Sequence, residues 1–360
     1  MKVAILGAGN VALATSAFLA QAGHDVHLWS SFENERAALT DGMLSVEGVI
    51  DGQVRITIAG VPGEAISGAG LVIIAAPAFA HQTLMSAAAP HLSARQTVLV
   101  HPVTGLSSLL LSRMLAKRDV EPPLIVDAST SLFTARKSGP TRVRILKIKD
   151  TIDLAAIPSS RGTEAIAVMR ELFGNRFRLE SSALAVSLNN HNPVYHVPPL
   201  LCNLSRAEKQ ENWVIWECIT PAIARLVELV DNERLLVVRH FGTTEVSVAD
   251  YFKQAHGAEG NCLPDIFASV AQKLKGPVGP QSSEHRFITE DVPYGLVFFH
   301  SLGQAVGIEM PVTRNLIELT SALYQRNFAE EGHTVEALGL SGLLSSEILE
   351  RTSKGFGRSV

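Results

Sequence analysis

Lys2-Val3-Ala4-Ile5-Leu6-Gly7-Ala8-Gly9-Asn10-Val11-Ala12 opens the chain, and its reading decides the fold. The apolar run Val3 to Leu6 passes without a gap into two glycines, and an amphipathic stretch from Val11 to Ala22 follows at once. An unbroken apolar run of this length is the pattern of a strand covered on both faces. Gly7 then allows a tight strand-to-helix turn, Gly9 lets phosphates approach the backbone, and Ala12 keeps the new helix close to the sheet. Asn10 and Val11 stand at the helix start, where the positive end of the dipole favours an anion. A G-x-G-x-x-A string alone is weak evidence. Preceded by a strand and followed by a helix, it has the context that a dinucleotide pyrophosphate requires.

Outward from this motif, the runs Asp25 to Trp29, Leu71 to Ala76, Thr97 to His101 and Leu124 to Asp127 read as further strands with helices between them. That alternation predicts a parallel α/β sheet. Val143 to Ile148 and Thr151 to Ile157 are expected to extend it before a helix over Gly162 to Phe173. Beyond about residue 182 the text turns to long helical periods, among them Trp213 to Val230, Glu233 to Phe241, Leu263 to Leu274 and Val312 to Phe328. The fold class is therefore α/β, with an N-terminal Rossmann-type dinucleotide-binding domain over 1–182 and a mainly helical C-terminal domain over 183–360. At 360 residues the chain exceeds the roughly 250 to 300 at which one core stops growing, which agrees with two domains.

A formal charge of −4 with only 18% charged residues gives no footprint for nucleic acid. No apolar run reaches the roughly 18 residues of a membrane span, and the first strand begins too early to leave room for a signal peptide. Cys202, Cys218 and Cys262 are widely spaced and odd in number, which suits reduced thiols and a cytoplasmic location. Apolar helical text such as Leu296 to Phe299 can serve a subunit face as readily as a core, so a homodimer stays open.

In NAD-preferring folds the second strand ends in an acid that bonds the ribose hydroxyls and repels a 2′-phosphate. Here Ser30 stands at that place, with Ser31 beside it and Arg36 shortly after. Hydroxyls and a guanidinium can bind a phosphate dianion, so NADP(H) is the favoured cofactor. NAD(H) is the alternative if Glu33 or Glu35 reaches the ribose. Pro77 follows the strand Leu71 to Ala76 at the edge where cofactors sit, or simply stops the strand. His81 and His101 follow strand ends and can line the same cleft, although a histidine in such a loop is more often structural.

The segment Asn190-His191-Asn192-Pro193-Val194-Tyr195-His196-Val197-Pro198-Pro199 crowds polar groups at the domain junction. On a helix, Asn192 and His196 share one face. Pro198 and Pro199 argue against an undisturbed helix and for a kinked start. Read plainly, Asn192 is an N-cap and His196 a satisfied core histidine. His191 and His196 are misaligned for a shared metal and no third ligand is near, so no metal is expected. A second cluster, His285-Arg286-Phe287-Ile288-Thr289-Glu290-Asp291-Val292-Pro293-Tyr294, supplies a complement. If Asp291 reaches His196 it orients the imidazole and raises its pKa by favouring the cation, as a general acid/base needs. Arg286 is a candidate anchor for a substrate carboxylate, or the partner of a nearby acid.

At these residues the sequence resembles the opine dehydrogenases, the octopine synthases and carboxyethyl-norvaline dehydrogenases among them. The glycine-rich opening, Phe133-Thr134-Ala135-Arg136, Asn192-Pro193-Val194 with His196, the block Arg286 to Val292, and Glu331-Gly332-His333 through Gly342 occur in that family's order. The resemblance implies reductive condensation of a 2-oxo acid, pyruvate or 2-oxoglutarate, with the amino group of an L-amino acid through an imine. It implies His196 as acid/base, Asp291 as its orienting carboxylate and Asn192 as a substrate ligand. Ser30 departs from the acid of the norvaline enzymes, which puts NAD preference in doubt. Two other readings remain at this stage. One is another two-domain Rossmann dehydrogenase of hydroxyacid, glycerol-phosphate or ketopantoate type, which usually needs a lysine that Asn192 to Pro199 lacks. The other is a non-catalytic NAD(P) sensor.

Overall fold

The computed structural model describes residues 1–118, 121–274 and 278–357. The chain divides into two compact units, one of Met1–Ser187 with the segment from Glu347 onward, the other of Leu188–Ser346.

In the first unit an eight-stranded sheet runs in the order Phe177–Leu179, Ile152–Ile157, Leu124–Ala128, Thr97–Val100, Leu71–Ile74, Lys2–Leu6, Asp25–Trp29, Thr57–Ile58. Neighbours are parallel except Ile152–Ile157, which runs antiparallel to Leu124–Ala128. Val3, Ala4, Ile5 and Leu6 are fully buried, as a strand inside a covered parallel sheet requires. From Lys2–Leu6 the chain pairs first with Asp25–Trp29 on one side and later with Leu71–Ile74 on the other. Strand order therefore reverses at the first strand, and a crevice at the carboxyl ends of such strands is where open α/β sheets take ligands.

Two expectations need correction here. Val143 to Ile148 does not extend the main sheet. The strand Arg142–Ile148 lies in a separate four-stranded sheet in the order Gly52–Arg55, Met43–Gly48, Arg142–Ile148, Phe133–Gly139. The reason is its alternation: Val143 and Ile145 are buried while Arg142 and Arg144 are exposed, a one-faced strand that a sheet covered on both sides would reject. The second correction concerns the C-terminus. The helix Ser345–Lys354 carries the chain back to the first unit, where the Phe356 N–H donates to Ser112 Oγ at 2.8 Å. Gly355 fits there because a Cβ would lie 2.6 Å from that oxygen.

The second unit is helical. Trp213 to Val230 and Glu233 to Phe241, expected as two helices, are mostly one, Pro221–His240. Within it the fully buried Arg234 donates from Nε and Nη2 to Asp231 Oδ1, and its fork also reaches the carbonyls of Leu188 and Val246. Such a buried charge is tolerated only because its donors are occupied. Leu296, Val297, Phe298 and Phe299 are all buried, so they are core of this unit and supply no subunit face. Among the described residues, no helix is long and apolar enough to cross a membrane.

Candidate active site

Gly7 has φ +123°, and a Cβ on it would lie 2.4 Å from the Ala75 carbonyl oxygen, just beyond the strand Leu71–Ile74. Only glycine fits that turn. Gly9 precedes the helix Asn10–Gln21, carries no side-chain cap, and has open space where its Cβ would stand. The first helical turn holds no acid, and Ala12 is fully buried against the sheet. A bare cradle of backbone N–H groups at a helix N-terminus fits a dinucleotide pyrophosphate. The Asn10 side chain is committed elsewhere, since its Oδ1 accepts the Lys137 N–H at 2.7 Å, and Val11 packs partly buried on the core.

At the end of the second strand, Ser30 is buried and its hydroxyl donates to Glu35 Oε2 at 2.5 Å, while Arg36 Nη1 donates to the Ser30 carbonyl at 2.6 Å. Ser30 is therefore not free to donate to a phosphate. Ser31 is exposed, and Pro77 is exposed as the residue before the helix Ala78–Ala88. The two candidate histidines are both held by hydrogen bonds within this unit, His81 inside the helix Ala78–Ala88 and His101 just after the strand Thr97–Val100. His81 is buried between Ser107 Oγ at 2.9 Å and the Ala76 carbonyl at 3.0 Å. His101 Nε2 accepts the Leu132 N–H at 2.7 Å, and burial holds its pKa down at about 3.

In the second unit, Asn192–Leu201 is a ten-residue helix with Pro198 and Pro199 inside it. The expected N-cap at Asn192 is displaced by one residue, to His191. The prolines survive because the helix is buried on nearly every side, so packing outweighs the lost hydrogen bonds, and the Pro199 carbonyl is satisfied by Asn203 Nδ2 at 2.9 Å. Asn192 and His196 share a face as the spacing predicts. His191 does not join them. Its Nε2 donates to the Val246 carbonyl at 2.8 Å and its ring stacks on Tyr251.

His196 Nδ1 lies 2.7 Å from Asp291 Oδ2, with both side chains 7% exposed. A contact this short requires a proton between the two atoms. Asp291 immediately precedes a one-turn π-helix, Val292–Leu296, a rare element often found at functional sites. The Phe287 ring lies parallel to the imidazole with centroids 3.5 Å apart, and Tyr195 meets its edge at 4.5 Å. Nε2 of His196 has no hydrogen-bond partner among the described residues, so one imidazole nitrogen is oriented and the other makes no hydrogen bond. Tyr195 donates its hydroxyl to Asn192 Oδ1 at 2.7 Å, which engages the acceptor end of that amide and leaves its nitrogen as the donor.

Electrostatics correct one expectation. The imidazole pKa is lowered, not raised. Burial pushes His196 well below its usual range and raises the Asp291 carboxyl to about 7, and the nearby Arg286 guanidinium lowers both. Desolvation of a pair this deep outweighs mutual attraction, so the two groups share one proton. Arg286 is mostly exposed and only 4.0 Å from Glu290 Oε2, a loose ion pair that leaves it able to hold an anion. Among the described residues, no three His, Cys, Asp or Glu side chains gather as a metal site. Phe287 and Tyr195 were not singled out for these places by the sequence, although each is adjacent to a residue that was, Arg286 and His196; Glu35, named from the sequence as the alternative ribose ligand, accepts from the Ser30 hydroxyl.

Residues 179–324 match the family model "NAD/NADP octopine/nopaline dehydrogenase, alpha-helical domain", and residues 3–158 match "Ketopantoate reductase PanE/ApbA". An opine dehydrogenase from Arthrobacter sp. (strain 1C) is 30% identical over 349 residues, covering 96% of this chain and 97% of that one. Vitopine synthase from Allorhizobium ampelinum is 25% identical, covering 95% and 96%. A solved structure of octopine dehydrogenase with NADH and L-arginine superposes with a TM-score of 0.83 at 19% identity over 99% of both chains, a likeness of fold. Fold and matches together define an NAD(P)-dependent oxidoreductase. The chain belongs to the opine dehydrogenase family.

Proposed function

We propose that the protein condenses the amino group of an L-amino acid with a 2-oxo acid such as pyruvate or 2-oxoglutarate and reduces the imine to a secondary amine dicarboxylate. The observation that carries this reading is the buried His196–Asp291 pair, with Nδ1 fixed and Nε2 free. Bound reduced nicotinamide supplies the hydride. The chain's residues handle the protons and the alignment. His196 Nε2 takes a proton from the attacking ammonium group and returns one during loss of water from the carbinolamine, with Asp291 holding the ring in one orientation. Arg286 binds a substrate carboxylate, and the Asn192 amide donates to a substrate oxygen. Phe287 and Tyr195 exclude water from the imidazole, which strengthens each polar contact there.

The cofactor loop is Gly7, Gly9, Asn10, Val11 and Ala12, with Pro77 at the neighbouring strand end. NADP(H) is favoured over NAD(H) through Ser31 and Arg36. The preference is modest, because Glu35 sits beside the same position and opposes a 2′-phosphate. Cys202, Cys218 and Cys262 are free thiols, in keeping with a cytoplasmic enzyme.

The test is a matrix of amino acids against oxo acids, followed by cofactor absorbance. Oxidation must require both substrates; oxidation with an oxo acid alone rejects the reading in favour of a hydroxyacid-type dehydrogenase. In the same assay His196→Ala should lower kcat by about 10² to 10⁴ while leaving the cofactor Kd nearly unchanged. A variant with undiminished kcat removes His196 from the mechanism.

A further inference from the structure

We propose that Lys137, contributed by the small four-stranded sheet, is a ligand of the cofactor's pyrophosphate. This rests on the nucleotide-binding reading of the glycine-rich loop and adds a cation that the loop's own sequence lacks.

The strand Phe133–Gly139 packs against the helix Asn10–Gln21, and two hydrogen bonds fix Lys137 to the loop. Its backbone N–H donates to Asn10 Oδ1 at 2.7 Å, and its ammonium group donates to the Ala8 carbonyl at 3.2 Å. Ala8 lies between Gly7 and Gly9, so the ammonium is held at the turn where the phosphates are expected. The residue is half-buried, and no carboxylate pairs with it among the described residues. One of its three N–H donors is used on Ala8, which leaves others for an anion.

Charge counting shows why a cation belongs there. A dinucleotide pyrophosphate carries two negative charges, and a helix N-terminus offsets about half of one. Neither Gly7 to Ala12 nor the rest of the first helical turn contributes a basic side chain. Lys137 supplies a full charge at the loop from 129 positions along the chain. The Asn10 contact explains how it stays there: the backbone donor makes that bond whatever side chain stands at 137.

The experiment is fluorescence titration of NADH on the wild-type protein, Lys137→Met and Lys137→Arg, with ADP-ribose, AMP and adenosine as competitors. Lys137→Met should raise the Kd of NADH and ADP-ribose by about ten- to a hundredfold, that of AMP less, and that of adenosine not at all. Its Kd should also depend less steeply on ionic strength, and Lys137→Arg should keep most of the affinity. Wild-type NADH affinity in Lys137→Met overturns the proposal and leaves nucleotide binding intact. Equal weakening for adenosine also overturns it, because a damaged loop and not a lost charge would then be the cause. Failure of the wild type to bind NADH or NADPH removes the nucleotide-binding reading itself.

Discussion

Gly295 faces Pro193 so closely that a Cβ on the glycine would lie 2.1 Å from the proline Cγ and 2.7 Å from its Cβ. Gly295 belongs to the π-turn that follows Asp291, and Pro193 to the first turn of the helix that carries His196. The missing side chain is therefore what lets these two elements approach until His196 and Asp291 meet at 2.7 Å.

Gly295→Ala should force them apart. Overpacking of this kind costs about 1–3 kcal/mol, and a displacement near 1 Å at an acid/base pair costs about a hundredfold in rate. The expected result is a fall in kcat of that order with a Tm lowered by several degrees and an unchanged NADH Kd. Full activity at wild-type Tm would mean that the contact does not set the pair's spacing.

Arg286 lowers the pKa of both members of the pair, since a nearby cation disfavours imidazolium and favours carboxylate. Replacing it with leucine removes that influence, so the acid limb of the kcat profile should move to higher pH. Loss of a charged anchor should also weaken kcat/KM for the carboxylate-bearing substrate by about ten- to a hundredfold. Arg286→Lys should restore the pH limb but less of the affinity, because an ammonium cannot make the bidentate contact. An unmoved limb in Arg286→Leu would show that the guanidinium does not act on the pair.

What the sequence made legible was local. The run from Lys2 to Ala12 specified strand, turn and helix because each needs only neighbours in the chain, and Gly7 indeed occupies a conformation that other residues avoid. The four spacings between Asn192 and His196 placed both on one face for the same reason. Burial was not legible. Pro198 and Pro199 obeyed packing over local preference, and desolvation reversed the expected direction at His196. Pairing over long separations was hidden as well: nothing in Arg142–Ile148 names its partner Met43–Gly48, and nothing near Gly7 announces Lys137.

Two buried groups with opposite shifts give the stability a testable pH dependence. Burial holds His191 at about 3, while it lifts Asp127, which accepts from Ser108 Oγ at 2.7 Å, to about 7. Between about pH 4.5 and 6 the unfolded chain protonates His191 and the folded one does not, so this residue makes stability rise with pH. Asp127 works in the other direction, because over that window the folded state holds a proton that the unfolded state has released. Each contributes a slope of about 1.4 kcal/mol per pH unit, opposite in sign. Urea unfolding across this range should therefore show a smaller upward slope in His191→Gln, whose amide can still donate to the Val246 carbonyl, and a larger one in Asp127→Asn. If neither substitution alters the slope, both groups titrate normally and burial has not displaced them.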